Sequence, residues 1–154
     1  MKVERIDHIH LFVKNIEGAM KFFSNVLGIQ FIGPIDKRAH NPNTKVKVAF
    51  GDVGIEMVSP TSSDYPVAKY IDEHGEGLAA IAFKVPDLEE AIAELEAKGV
   101  RLDHRGSGIR DIKVAVFKPE DAYGVIIELV QYDDMPSVAI ANLNKMGELP
   151  WFKG

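Results

Sequence analysis

Ile6-Asp7-His8-Ile9-His10-Leu11-Phe12-Val13 alternates apolar and polar residues in the manner of a strand, and it returns as Leu78-Ala79-Ala80-Ile81-Ala82-Phe83-Lys84-Val85. A second stretch, Ile55-Glu56-Met57-Val58, returns as Ile127-Glu128-Leu129-Val130. His8 and Ala80 stand 72 positions apart (80 − 8), and so do Glu56 and Glu128 (128 − 56). Two unrelated segments sharing one offset point to a duplicated module. If the copies pack with twofold symmetry, His8, Glu56 and Glu128 converge as three corners of a metal site that lacks its fourth.

Outward from these strands, each half reads as strand, helix and further strands. Ile9, Leu11 and Val13 share one face of the first strand, and His8, His10 and Phe12 share the other. Ile16, Met20, Phe23 and Leu27 then follow helical spacing, with Gly28 suited to the left-handed position past the end. Met20, Phe22 and Phe23 are expected in the helix core. The polar run 36–44 reads as a loop or hairpin, and Gly51-Asp52-Val53-Gly54 as a turn. In the second half, Asp87 with Glu90 three residues on forms a capping-box-like start, Leu88, Ala91, Ile92 and Leu95 make the stripe, and Lys98-Gly99 ends the helix. A short helix from Pro66 to His74, stopped by Gly75, links the halves. The expected organisation is a module over 1–62, a linker over 63–76, a second module over 77–132 and a tail over 133–154 with no counterpart in the repeat.

Bulk properties narrow the function classes. A chain of 154 residues with 46% hydrophobic and 27% charged composition suits a folded globular protein. A net charge of −5 argues against nucleic acid or an anionic membrane as partner. With no cysteine, disulfides, thiolate ligands and a cysteine nucleophile are excluded. Met1-Lys2-Val3-Glu4-Arg5 is charged and runs directly into a strand, unlike a signal peptide, and no apolar run approaches the roughly 20 residues of a membrane span. A cytoplasmic location is expected.

The same alternation puts Glu128 opposite Ile127 and Leu129, and Glu56 opposite Ile55 and Met57. A carboxylate inside Val-Ile-Ile-Glu-Leu-Val costs several kcal/mol if buried unpaired. Water in an open cleft, a positive side chain or a metal ion has to compensate it. His40, His74 and His104 read as surface residues in loops or at a helix end. Trp151 and Phe152 read as a segment packing on its own domain or a partner, with a lid over the cleft as the alternative.

Asp7-His8-Ile9 on the first strand, Gly54-Ile55-Glu56-Met57-Val58-Ser59-Pro60 and Val125-Ile126-Ile127-Glu128-Leu129 resemble the vicinal oxygen chelate superfamily, which includes glyoxalase I, extradiol dioxygenases and bleomycin-resistance proteins. Within it the chain is most similar to the methylmalonyl-CoA epimerases. Supporting stretches are Phe22-Phe23-Ser24-Asn25-Val26-Leu27-Gly28, Ser59-Pro60-Thr61-Ser62, Gly75-Glu76-Gly77-Leu78 and Ala97-Lys98-Gly99-Val100, so the likeness runs from about Arg5 to Tyr132. The resemblance implies an α+β fold of paired βαβββ modules forming a cupped, barrel-like mixed sheet around one divalent ion (Co, Mn, Mg, Ni or Zn). Its ligand positions carry over to His8, Glu56, Ala80 and Glu128. The epimerases usually have Gln at the second position, and Glu there is familiar from bacterial glyoxalase I. At the third the family expects His-His-Ile-Ala-Phe, where this chain has Ala79-Ala80-Ile81-Ala82-Phe83. An alanine cannot ligate a metal. Three outcomes stay open: water fills the position, His10 substitutes from the same strand face, or the cleft is metal-free and reused for binding.

The resemblance further implies a small-molecule substrate, acyl-CoA among the choices, and a homodimer. The implied activity is a metal-dependent epimerase abstracting the α-proton of a methyl-branched acyl-CoA thioester. Glu128 is the candidate for a ligand that also handles protons. The loop around Gly106-Ser107-Gly108 resembles the family's pocket-bordering loop, with Arg105, Arg110 and Lys113 near enough in sequence to meet CoA phosphates. The alternatives are a non-catalytic small-molecule-binding protein of the bleomycin-resistance type and a glyoxalase I-like lyase. Ring-cleaving dioxygenase chemistry wants two histidines and a carboxylate around iron, and Ala80 removes one.

Overall fold

Each half of the repeat folds as a strand, a helix and three more strands. The computed structural model describes residues 1–107 and 112–133. The first half comprises β1 (Arg5–Phe12), α1 (Ile16–Leu27), β2 (Phe31–Asp36), β3 (Val46–Gly51) and β4 (Ile55–Pro60). A linking helix, α2 (Pro66–His74), precedes β5 (Gly77–Lys84), α3 (Leu88–Ala97), β6 (Leu102–Ser107), β7 (Lys113–Phe117) and β8 (Ile126–Gln131). The eight strands hydrogen-bond in the order β2-β3-β4-β1-β5-β8-β7-β6. Since β5 and β8 run parallel while β7 and β8 run antiparallel, the sheet is mixed and the class is α+β.

Local chemistry sets the helix limits. Asn15 accepts the Gly18 N–H and starts α1, and Gly28 at φ 70° ends it. Asp87 caps α3 by accepting from the Glu90 N–H. Pro66 opens α2, and the Gly75 N–H closes it on the Ile71 carbonyl. The 72-residue offset holds at the first strand, the helix and the last strand but slips in the hairpins. The first half has its long connection between β2 and β3 (37–45), and the second has its long one between β7 and β8 (118–125).

Among the described residues the chain divides into two compact units, one of Met1–Ile9 with 79–133 and the other of His10–Leu78, so the boundary falls inside β1. In the first unit, Leu88, Ala91 and Ile92 of α3 pack on Ala115, Phe117 and Leu129 of the sheet. In the second, Ile16 of α1 packs on Val13, Ala49 and Met57, with Leu11, Met20, Phe23 and Ile55 at the margin. Leu11 of β1 and Val13 just past its end therefore meet the helix, as the alternation predicts.

Two readings need correction. Phe22 is 57% exposed and Leu27 is 63% exposed, so the buried stripe of α1 is narrower than the run of apolar residues suggests. Phe22 sits against Phe23 edge to face and otherwise looks to solvent. His104 is exposed as expected but belongs to strand β6, paired with Val116, and not to a loop. Strand β6 (Leu102-Asp103-His104-Arg105-Gly106-Ser107) escapes notice because it carries no apolar alternation. It is an edge strand, as is β2 at the other end of the order, and β2 contains Pro34 and a register shift between Ile32 and Ile35.

Candidate metal centre

Strand alternation places His8 and His10 on one side of β1, and both are buried, at 2% and 7% exposure. The His8 Nδ1 lies 2.8 Å from Asp7 Oδ2, and its Nε2 lies 3.5 Å from Glu128 Oε1. Glu128 reaches that place from β8, where it is in register with Ala82 on one side and Val116 on the other. Its neighbours Leu129 and Val130 are buried at 2% and 1%. In the second unit, Glu56 of β4 is in register with Phe50 and holds its Oε2 3.9 Å from His10 Nε2. The two carboxylate side chains are only 13% and 15% exposed. An imidazole nitrogen lies within 3.9 Å of each of them.

His8, His10 and Glu128 each present one ligand atom, and these atoms lie within 4.8 Å of one another. A divalent ion holds N and O donors at about 2.0–2.2 Å, so two donors at a tetrahedral angle stand about 3.4 Å apart. Two neutral imidazoles and one carboxylate also suit a divalent cation chemically. The three residues are a set that could hold the divalent ion the resemblance implies.

Of the expected ligand positions, Ala80 is buried at 3% and Ala82 at 0%, so β5 offers methyl groups where β1 offers two imidazoles. Glu56 stands outside the trio and faces His10. Arg105 is turned to Glu89 through two hydrogen bonds, the longer 2.8 Å, and Lys113 is exposed at the strand start. Gly108, Arg110 and the tail with Trp151 and Phe152 lie outside the described residues.

Two residues that sequence reasoning passed over complete the surroundings of His8. The Asp7 side chain is wholly buried; its Oδ1 accepts a hydrogen bond from the Tyr132 hydroxyl. Arg5 Nη2 in turn donates to the Tyr132 oxygen at 2.7 Å. Burial and the neighbouring Asp7 charge push the Tyr132 phenol well above its usual range, so it stays a proton donor. Asp7 adjoins a histidine in sequence, but alternation assigns the two to opposite faces, and nothing in the strand pattern foretells that they bond. Tyr132 follows the last strand and has no marker at all.

A family profile described as the glyoxalase/bleomycin resistance protein/dioxygenase superfamily matches residues 7–116. The chain belongs to this superfamily. Members use a divalent metal ion. The uncharacterized Bacillus subtilis protein YqjC is 34% identical over 134 residues, covering 84% of this chain and 93% of its own length. The mitochondrial methylmalonyl-CoA epimerase of Bos taurus is 28% identical over 130 residues, covering 82% of this chain and 74% of the bovine protein. Among solved structures, a Streptomyces coelicolor methylmalonyl-CoA epimerase variant in complex with 2-nitronate-propionyl-CoA superposes with a TM-score of 0.75 at 26% identity, over 88% of this chain and 99% of that one. The vicinal oxygen chelate fold implied by the resemblance is the fold found. Among the described residues, no helix is long and apolar enough to cross a membrane.

Proposed function

We propose that this superfamily member is a metal-dependent isomerase that inverts the α-carbon of a methyl-branched acyl-CoA thioester. The observation that carries the reading is the trio of His8, His10 and Glu128, which gathers three donors despite the alanine at position 80. The likeness to methylmalonyl-CoA epimerases, in sequence and in fold, supports the substrate class.

His8, His10 and Glu128 are the residues that hold the ion in this reading, and His10 takes the role left vacant by Ala80. When bound, a divalent cation stabilises the negative charge that develops on a thioester oxygen as the α-proton leaves. The chain's own residues do the rest. Inversion needs a proton acceptor on one face of the α-carbon and a donor on the other. Glu128 beside His8 and Glu56 beside His10 are the two carboxylates that offer themselves. Both carboxylate side chains are largely shielded from solvent, at 13% and 15% exposure. Apolar neighbours such as Leu129 and Met57 keep bulk water off the strands that bear them.

A second reading, a non-catalytic binding protein of the bleomycin-resistance type, is favoured by one observation: β5 contributes no donor at Ala80. One experiment separates the two. Metal-stripped protein, reloaded with Co, Mn, Mg, Ni or Zn, is incubated with one stereoisomer of methylmalonyl-CoA in deuterium oxide. Metal-dependent deuterium uptake at the α-carbon supports the isomerase, together with its loss in Glu128→Gln. Binding of the thioester without exchange under every metal supports the binding protein and removes the isomerase. A homodimer and a cytoplasmic location complete the proposal.

A further inference from the structure

The geometry points to Tyr132 and Asp7 as positioning residues that fix the tautomer and the aim of His8. This inference rests on the reading of His8 as a metal ligand, but its structural core does not. The wholly buried Asp7 carboxylate divides its two oxygens: Oδ2 meets His8 Nδ1 at 2.8 Å, and Oδ1 accepts from the Tyr132 hydroxyl. Arg5 extends the chain outward, with Nη2 donating to the Tyr132 oxygen at 2.7 Å and lying 3.7 Å from Asp7 Oδ1. An ionised carboxylate only accepts hydrogen bonds. The proton between Asp7 and His8 therefore belongs to Nδ1, and in the neutral imidazole Nε2 is left with its lone pair. That nitrogen is the one turned to Glu128, 3.5 Å away. Every group in the relay belongs to one compact unit of the fold, residues Met1–Ile9 with 79–133 among those described.

Burial gives the relay its stiffness. The side chains of Asp7 and His8 are 0% and 1% exposed, so water does not compete for their bond. Tyr132 is tethered from several sides, with the Lys84 ammonium 5.1 Å above its ring and Lys84 itself bonded to Glu4 at 2.6 Å. The surface ion pair thus ends a chain of contacts that leads inward to the imidazole. Partners of this kind behind a metal-binding histidine fix its ring orientation, and removing them costs about 10–100-fold in affinity.

Two measurements on the full-length protein test the idea. Long-range proton–nitrogen NMR correlation on metal-free protein reads the His8 tautomer directly; Nδ1–H is expected in the wild type and loss of its dominance in Asp7→Ala. Cobalt titration, followed by the visible absorption of the bound ion, is expected to weaken about 100-fold in Asp7→Ala and about 10-fold in Tyr132→Phe. Asp7→Asn, which can still accept from Nδ1–H, should recover part of the loss, and a merely structural role would not produce that order. If Asp7→Ala does not fold, Tyr132→Phe keeps the ring and carries the test. An Nε2–H tautomer in the wild type, or unchanged cobalt affinity in both folded variants, overturns the inference. If the wild type binds no cobalt while the Nδ1–H tautomer is present and sensitive to Asp7, the metal reading fails and the positioning of His8 survives.

Discussion

Replacing Glu128 by Gln keeps the length of the side chain and removes its charge from the donor trio. Its Oε1 stands 3.5 Å from His8 Nε2, so it is the only anionic group among three donors spread over 4.8 Å. A ligand that binds the folded chain alone stabilises it by about 2.7 kcal/mol at 100 times its dissociation constant. For a chain of this length, 1 kcal/mol moves the unfolding midpoint by about 2–4 °C, which gives about 5–11 °C for the loaded wild type. Outer-shell partners alone are worth about 10–100-fold in metal affinity, so loss of a direct donor should cost at least about 100-fold. At the same ion concentration the variant then sits near its dissociation constant, and the gain falls to about 0.4 kcal/mol, or about 1 °C. The assay is calorimetry on chelator-stripped protein with and without ion, using Glu89→Gln as control because Glu89 is exposed and paired to Arg105. An equal metal-induced shift in wild type and Glu128→Gln would falsify the assignment of Glu128 as a donor.

Further outcomes follow from other parts of the molecule. Ala80→His restores an imidazole to β5 and should tighten cobalt binding by isothermal titration, at an overpacking cost of about 1–3 kcal/mol in the metal-free midpoint because Ala80 is 3% exposed; unchanged affinity means the position does not face the ion. Phe117→Ala empties a wholly buried position in the α3 core and should cost about 3–5 kcal/mol in denaturant unfolding, and a loss below 1 kcal/mol would contradict that packing. Arg101 holds the Asp121 carboxyl down to about 2 through paired hydrogen bonds. Its folded-state value is depressed, so its stabilisation is present above the ordinary value of 3.8 and is lost as pH falls towards 2. Asp121→Asn should flatten that part of an acid-unfolding curve, and an unaltered acid limb would show that the pair contributes nothing.

How much of this was legible depends on whether the signal was local or cross-chain. Gly28, Pro66, Gly75 and Asp87 mark helix ends through backbone preferences, and the helices end there. The shared 72-residue offset exposed the duplication and, through it, His8 and Glu128. Alternation gave the facing of Glu56, Glu128 and both histidines but not their depth, since an open cleft was one expectation and His8 and His10 are nearly inaccessible. The Asp7–Tyr132 contact spans the fold, and no period in the sequence encodes it. Phe22 misled because its helix has apolar residues beyond the stripe that packs. Strand β6 was invisible because an edge strand needs no buried face, and its Asp103, His104 and Arg105 are all exposed.

Those edges bear on whether another chain can extend the sheet. An unpaired strand edge is a template for intermolecular pairing and aggregation, and proteins blunt it with charge, proline and irregular register. Strand β6 offers Asp103, His104 and Arg105 in a row, while β2 carries Pro34, which has no N–H to give, beside a break in register. Both ends of this sheet therefore resist being extended. Exposed apolar surface lies instead on α1, where Phe22, Val26 and Leu27 meet solvent, and the charged and irregular strand edges disfavour propagation of the sheet into fibres.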